Sequence, residues 1–93
     1  MIASNEYFDG KVKSLGYETA TGKYTVGVME AGDYEFGTGS GEEMIVVDGV
    51  LEVLLPGKES WESYSAGKSF NVPSGVKFKV KAVVNTAYLC RYY

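Results

Sequence analysis

The sequence predicts an all-β, single-domain protein, a small barrel or sandwich of short antiparallel strands. Three observations predict it. No segment carries the apolar period of an amphipathic helix, the 12 glycines fall at short intervals, and the stretches between them are rich in Val, Tyr, Phe and Thr. Strands are expected near 11–15, 23–30, 33–37, 42–47, 50–55, 61–64, 69–72, 76–83 and 86–92, with no linker and no internal repeat between them.

The 93 residues suffice for one domain, 1–93, and the 45% hydrophobic content suffices for a core without staples. So small an interior would gain from a face shared with a second copy. The nine Lys and Arg against twelve Asp and Glu argue against nucleic acid, which wants a basic surface. The single cysteine, Cys90, permits no internal disulfide and reads as a small buried hydrophobe. A catalytic thiolate is disfavoured, because its usual activating partner is histidine and the chain has none. The N-terminus lacks the basic and apolar regions of a signal peptide, and no apolar run reaches membrane-spanning length. The expected location is the cytoplasm.

Two segments carry most of the information. Asp48-Gly49, between two β-rich runs, is a strong signal for a two-residue hairpin with positive φ at both central residues. That turn would pair Val47 with Val50, Val46 with Leu51, Met44 with Val53 and Glu42 with Leu55. Alternation then sorts the side chains. Met44, Val46, Leu51, Val53 and Leu55 form an apolar inner face that also carries Glu42. Ile45, Val47, Val50 and Leu54, with Glu43 and Glu52, form an outer face greasy enough for a subunit interface. In the second segment, 76–82, Lys77, Lys79 and Lys81 alternate with Val76, Phe78, Val80 and Ala82. Its lysine row reads as a solvated face, of the kind that protects an edge strand.

The spacing of these residues resembles the two signature motifs of cupins, and so implies a cupin-type jelly-roll β-barrel. Gly67, Pro73 and Gly75 fit the second motif, with Phe78 where the motif has histidine. Glu42 and Gly49 fit the end of the first, and its paired histidines would fall within 35–38, here Glu-Phe-Gly-Thr. One carboxylate alone is a poor transition-metal site, so no metal is expected. The resemblance extends over the whole chain. Asn5-Glu6-Tyr7-Phe8, Gly10 to Ser14, Val26 to Met29, Glu42-Glu43-Met44, Leu54-Leu55-Pro56, Phe70 to Pro73 and Tyr88 to Tyr92 look like the small bacterial cupins called pyrimidine/purine nucleoside phosphorylases.

That resemblance implies broad-specificity phosphorolysis of purine and pyrimidine nucleosides to free base and ribose 1-phosphate. It also implies a homodimer, with inorganic phosphate as co-substrate and no cofactor. The alternative is a non-catalytic sugar- or nucleotide-binding cupin dimer, and beyond that a structural dimer with a filled interior.

Glycosyl transfer passes through a sugar with oxocarbenium character. Glu42, alone on an apolar face, is the candidate catalytic group, because an unpaired buried charge is costly without a function. Arg91, the only arginine, could grip phosphate with its planar fork. Pairing with Glu6, Glu43 or Glu52 is its equal alternative. Phe78, Phe36 and Met44 would line the pocket, where aromatic stacking suits loose base selectivity, though each also serves as ordinary core. Asn71 is a candidate polar contact or a turn-stabilising side chain.

Overall fold

The computed structural model describes residues 1–93 as two antiparallel sheets facing one another. The strands are β1 (Ala3–Tyr7), β2 (Val12–Thr19), β3 (Gly22–Met29), β4 (Gly32–Gly37), β5 (Glu42–Asp48), β6 (Val50–Leu54), β7 (Glu62–Ser65), β8 (Ser69–Val72), β9 (Lys77–Ala82) and β10 (Thr86–Tyr92). The larger sheet runs β1-β2-β3-β10-β5-β8 and the smaller β4-β9-β6-β7. The expected jelly roll is thus present, as a sandwich of two sheets. All nine expected strands form. β1 is the addition, and its polar Ser4-Asn5-Glu6 core gave no apolar signal.

The Asp48-Gly49 segment corrects one expectation. β5 and β6 do not pair: β5 lies between β10 and β8, and β6 between β9 and β7. Gly49 has φ 104°, while Asp48 keeps a negative φ, so the two-residue turn is absent. The chain instead crosses from one sheet to the other. An irregularity where β10 passes from Ala87 to Tyr88 leaves Val47 as an extra residue on β5, and such bulges bend a strand. Thr86 organises the corner. Its Oγ1 accepts from the Val50 N–H (3.2 Å) and donates to the Val84 carbonyl (2.8 Å). A side chain at Gly49 would collide with Thr86, which explains the glycine.

Parity survives the loss of the hairpin, because the corner turns both strands inward. Met44, Val46, Leu51 and Val53 are all buried and belong to one core with Val12, Met29, Phe70, Val72 and Val80. Each such aliphatic chain contributes about 1.5–3 kcal/mol through burial. The outer face is split, however. Ile45 and Val47 stand on the larger sheet, Val50 and Leu54 on the smaller. β9 alternates as expected, but it is an interior strand, and two of its lysines stand opposite acids in the register: Lys81 is the Cα partner of Asp33 and Glu52, and Lys79 of Glu35.

Between β1 and β2 the chain makes a tight turn, Phe8–Gly10, with φ 53° at Phe8, 56° at Asp9 and 85° at Gly10. Left-handed backbone costs an L-residue about 1–2 kcal/mol. A bulky aromatic there is a true outlier.

Candidate functional site

Between the sheets lies a cavity of ≈ 270 Å³ that reaches Glu42. The inner faces of three strands of the larger sheet build half of its lining. β2 supplies Ser14, β5 supplies Glu42 and Met44, and β10 supplies Tyr88, Cys90 and Tyr92. The smaller sheet adds Glu35, Phe36 and Gly37 from β4 and Phe78 from β9; β1 adds its last residue, Tyr7, and the β1–β2 turn adds Phe8.

Phe36 and Phe78 are cross-strand partners with ring centroids 5.9 Å apart. They occupy the region where the cupin motifs carry histidine. Phe78 in turn meets Phe70 edge-on at 6.4 Å, and Phe70 meets Tyr64 at 4.8 Å. Phe36 and Phe78 thus line the cavity, and the aromatic chain continues behind Phe78. No three His, Cys, Asp or Glu side chains gather into a group able to hold a metal ion, so the residues present do not fit the metal that the cupin fold implies.

Glu42 enters the cavity half-buried, at the start of β5. The Cys90 thiol donates to its Oε1 across 3.3 Å. Burial pushes the Glu42 carboxyl above its ordinary range, while the thiol bond pulls it partly back. Burial, with the Glu42 charge adding, drives the Cys90 thiol up to about 12, which keeps it a protonated donor. Cys90 is thus buried as expected, and also touches the candidate carboxylate. Burial also raises Tyr92, whose hydroxyl lies 3.2 Å from Thr25 Oγ1, and takes Tyr88 up to about 12. Tyr88 lies over Gly27, where a Cβ would come within 2.6 Å of its Cζ and its hydroxyl oxygen. Only glycine leaves this ring its place.

Of the residues singled out in the sequence, Glu42, Phe36, Phe78 and Met44 come together here. Arg91 and Asn71 do not. Arg91 is on the outer face of β10, with Nε 3.1 Å from Glu43 Oε1 and its guanidinium 5.1 Å from the centre of the Tyr93 ring. Asn71 is exposed on β8 and accepts from the Tyr93 hydroxyl at 3.2 Å. No lysine or arginine lines the cavity. Tyr7, Phe8, Ser14, Tyr88, Cys90 and Tyr92 were not anticipated. For Tyr88, Cys90 and Tyr92 the signal existed, because they share the inward parity of β10. For Tyr7 and Phe8 only the Asp9-Gly10 turn was visible.

A pocket between the two sheets of a jelly roll gives the molecule a cupin-type fold, and comparison with known proteins agrees. An RmlC-like cupin from Shewanella frigidimarina superposes with TM-score 0.77 at 17% identity, covering 99% of this chain and 83% of that one. A Vibrio parahaemolyticus protein described as of unknown function superposes with TM-score 0.96 at 44% identity, over 100% and 99% of the two chains. The family model for pyrimidine/purine nucleoside phosphorylase matches residues 2–92. A relative from Tolumonas auensis with that name is 53% identical over 92 residues, 99% of each chain. The chain belongs to the pyrimidine/purine nucleoside phosphorylase family.

Proposed function

We propose that this protein is a broad-specificity nucleoside phosphorylase that converts purine and pyrimidine nucleosides, with inorganic phosphate, into free base and ribose 1-phosphate without a metal. The observation that carries the reading is a half-buried carboxylate, Glu42, facing an aromatic cavity whose other carboxylate, Glu35, is exposed, in a chain of this family. A phosphate oxygen bonds to the anomeric carbon as the glycosidic C–N bond breaks. The electron pair of that bond leaves with the base, which then takes up a proton. Ionised Glu42, oriented by the Cys90 thiol, opposes the positive charge that builds on the sugar and accepts from its hydroxyls. Phe36, Phe78 and Met44 supply apolar walls that tolerate any base.

Phosphate is the substrate that one chain serves least, since its cavity has no cation. The outer face of the larger sheet carries Leu15, Val26, Leu89 and Ile45 as one cross-strand row, with Val28 and Val47 beside it. Leu15, Val26, Val28 and Val47 are each about half exposed. A homodimer through this face would cover them, and Arg91 lies at its margin. In this reading Arg91 serves phosphate only across that interface. The expected site of action is the cytoplasm.

The absent cation also favours a second reading, a sugar- or nucleoside-binding cupin without turnover. Incubating the purified protein with uridine or inosine, with and without phosphate, separates the two. Phosphate-dependent release of base is the expected result. Binding with no release would establish the second reading, and phosphate-independent release would point to hydrolysis.

A further inference from the structure

Phe8 is an expensive residue in an unexpected place. A β1–β2 connection that ends in Gly10 needs no aromatic at positive φ, yet Phe8 adopts φ 53° and Asp9 adopts 56°. Backbone strain of this kind persists where the surrounding structure holds a side chain for a purpose. The purpose is not deep burial, because Phe8 remains 42% exposed. Its ring stands edge-on to Tyr34 (5.0 Å, 61°) and Phe36 (5.6 Å, 85°), two residues of the edge strand β4. Tyr34 is itself fixed, its hydroxyl donating to the Glu30 carbonyl at 2.6 Å. The turn therefore presents a braced aromatic ring on the wall of the Glu42 cavity, with one part packed and the rest open.

We propose that Phe8 is a nucleobase-stacking residue of the site. This rests on the nucleoside reading above and adds to it a named contact for the base. Of the other aromatic rings around the cavity, Phe78 is 2% exposed and Tyr88 6%, so each is largely covered by its neighbours, and Tyr7, 49% exposed, has none of the ring contacts that brace Phe8. Phe8 keeps exposed area for a ligand. A π-face accepts purines and pyrimidines alike, which accounts for breadth without edge-specific hydrogen bonds. It also predicts a graded preference, because a purine offers the larger face. The competing explanation is an apolar plug over Tyr34 and Phe36. Leucine would serve a plug nearly as well and stacking poorly.

The test is calorimetric binding of inosine and of uridine, without phosphate, to wild type, Phe8→Leu and Phe8→Tyr. Base–aromatic stacking of ordinary strength corresponds to about a ten- to hundredfold change in affinity. Phe8→Leu should weaken both nucleosides by that factor, inosine more than uridine, and Phe8→Tyr should restore binding. Phe8→Gly should lose the same affinity, and its relieved positive φ should offset part of the packing lost against Tyr34 and Phe36. Unchanged affinity in Phe8→Leu for both nucleosides would make the residue a plug and overturn the proposal. A wild type that binds but releases no base would remove the phosphorylase reading alone, and the comparison among variants would still decide Phe8.

Discussion

On the inner sides of β5 and β10, Glu42, Met44, Cys90 and Tyr92 line a cavity; one residue along, Glu43, Ile45, Leu89 and Arg91 face outward. The two sets share a backbone, and Glu43 is the Cα partner of Arg91 as Glu42 is of Tyr92. Their electrostatics diverge all the same. Glu43 has a guanidinium at 3.1 Å, whereas Glu42 has only a thiol at 3.3 Å and a wall of apolar side chains. Alternation in a strand thus separates a paired, surface-type carboxylate from an unpaired, half-buried one by a single residue. The unpaired carboxylate is the one that the proposed function uses.

The largest expected effect breaks the inner set. Glu42→Gln keeps the shape and removes the charge, and should lower turnover about a hundredfold or more, a loss typical of removing one electrostatic stabiliser. Its folded pKa lies above the unfolded value, so the stability Glu42 contributes is complete below the unfolded pKa and is lost as pH rises through the folded one. At neutral pH the variant should therefore melt at or above the wild-type temperature. Near-wild-type turnover would return Glu42 to a structural role.

The next effect is smaller and sharpens the same set. With ionised Glu42 as the active form, activity should fall on the acid side, with a limb above the ordinary carboxylate range because burial raises the group. Cys90→Ala removes the bond that lowers it and leaves burial unopposed. The limb should then move to higher pH, by up to about one unit for a hydrogen bond of about 1 kcal/mol. A pH–rate profile of kcat/KM for the two proteins checks this. A limb that stays in place, or moves down, would mean that Glu42 is not the titrating group.

Much of this contrast was legible in the sequence. Inward Glu42 followed from strand parity and from the motif spacing, and nine strands followed from glycine spacing and β-rich composition. The hairpin was misread because Asp48-Gly49 is a strong local signal, and nothing local reports that Thr86, far along the chain, needs the space beside Gly49. Arg91 stayed open between phosphate and a pairing with Glu6, Glu43 or Glu52 because its role depends on which face of β10 it takes, and that required the β5–β10 register. Phe8 was missed because β1 is polar and its turn is paid for by strain, which composition does not record.

The smallest effect concerns the outer set. The Arg91–Glu43 pair is partly exposed, with side chains 41% and 27% accessible, so its net worth is at most about 1 kcal/mol after solvent screening. Arg91→Ala should leave folding and nucleoside KM nearly unchanged. If Arg91 reaches phosphate across a homodimer, that variant should raise the KM for phosphate alone. Leu89→Lys places a charge in the middle of the apolar row and should yield monomers by light scattering. Those monomers should show the same phosphate defect as Arg91→Ala, because separating the copies removes the guanidinium as effectively as deleting it. Monomeric Leu89→Lys with a wild-type KM for phosphate would dissociate Arg91 from catalysis and leave the outer set with a purely structural role.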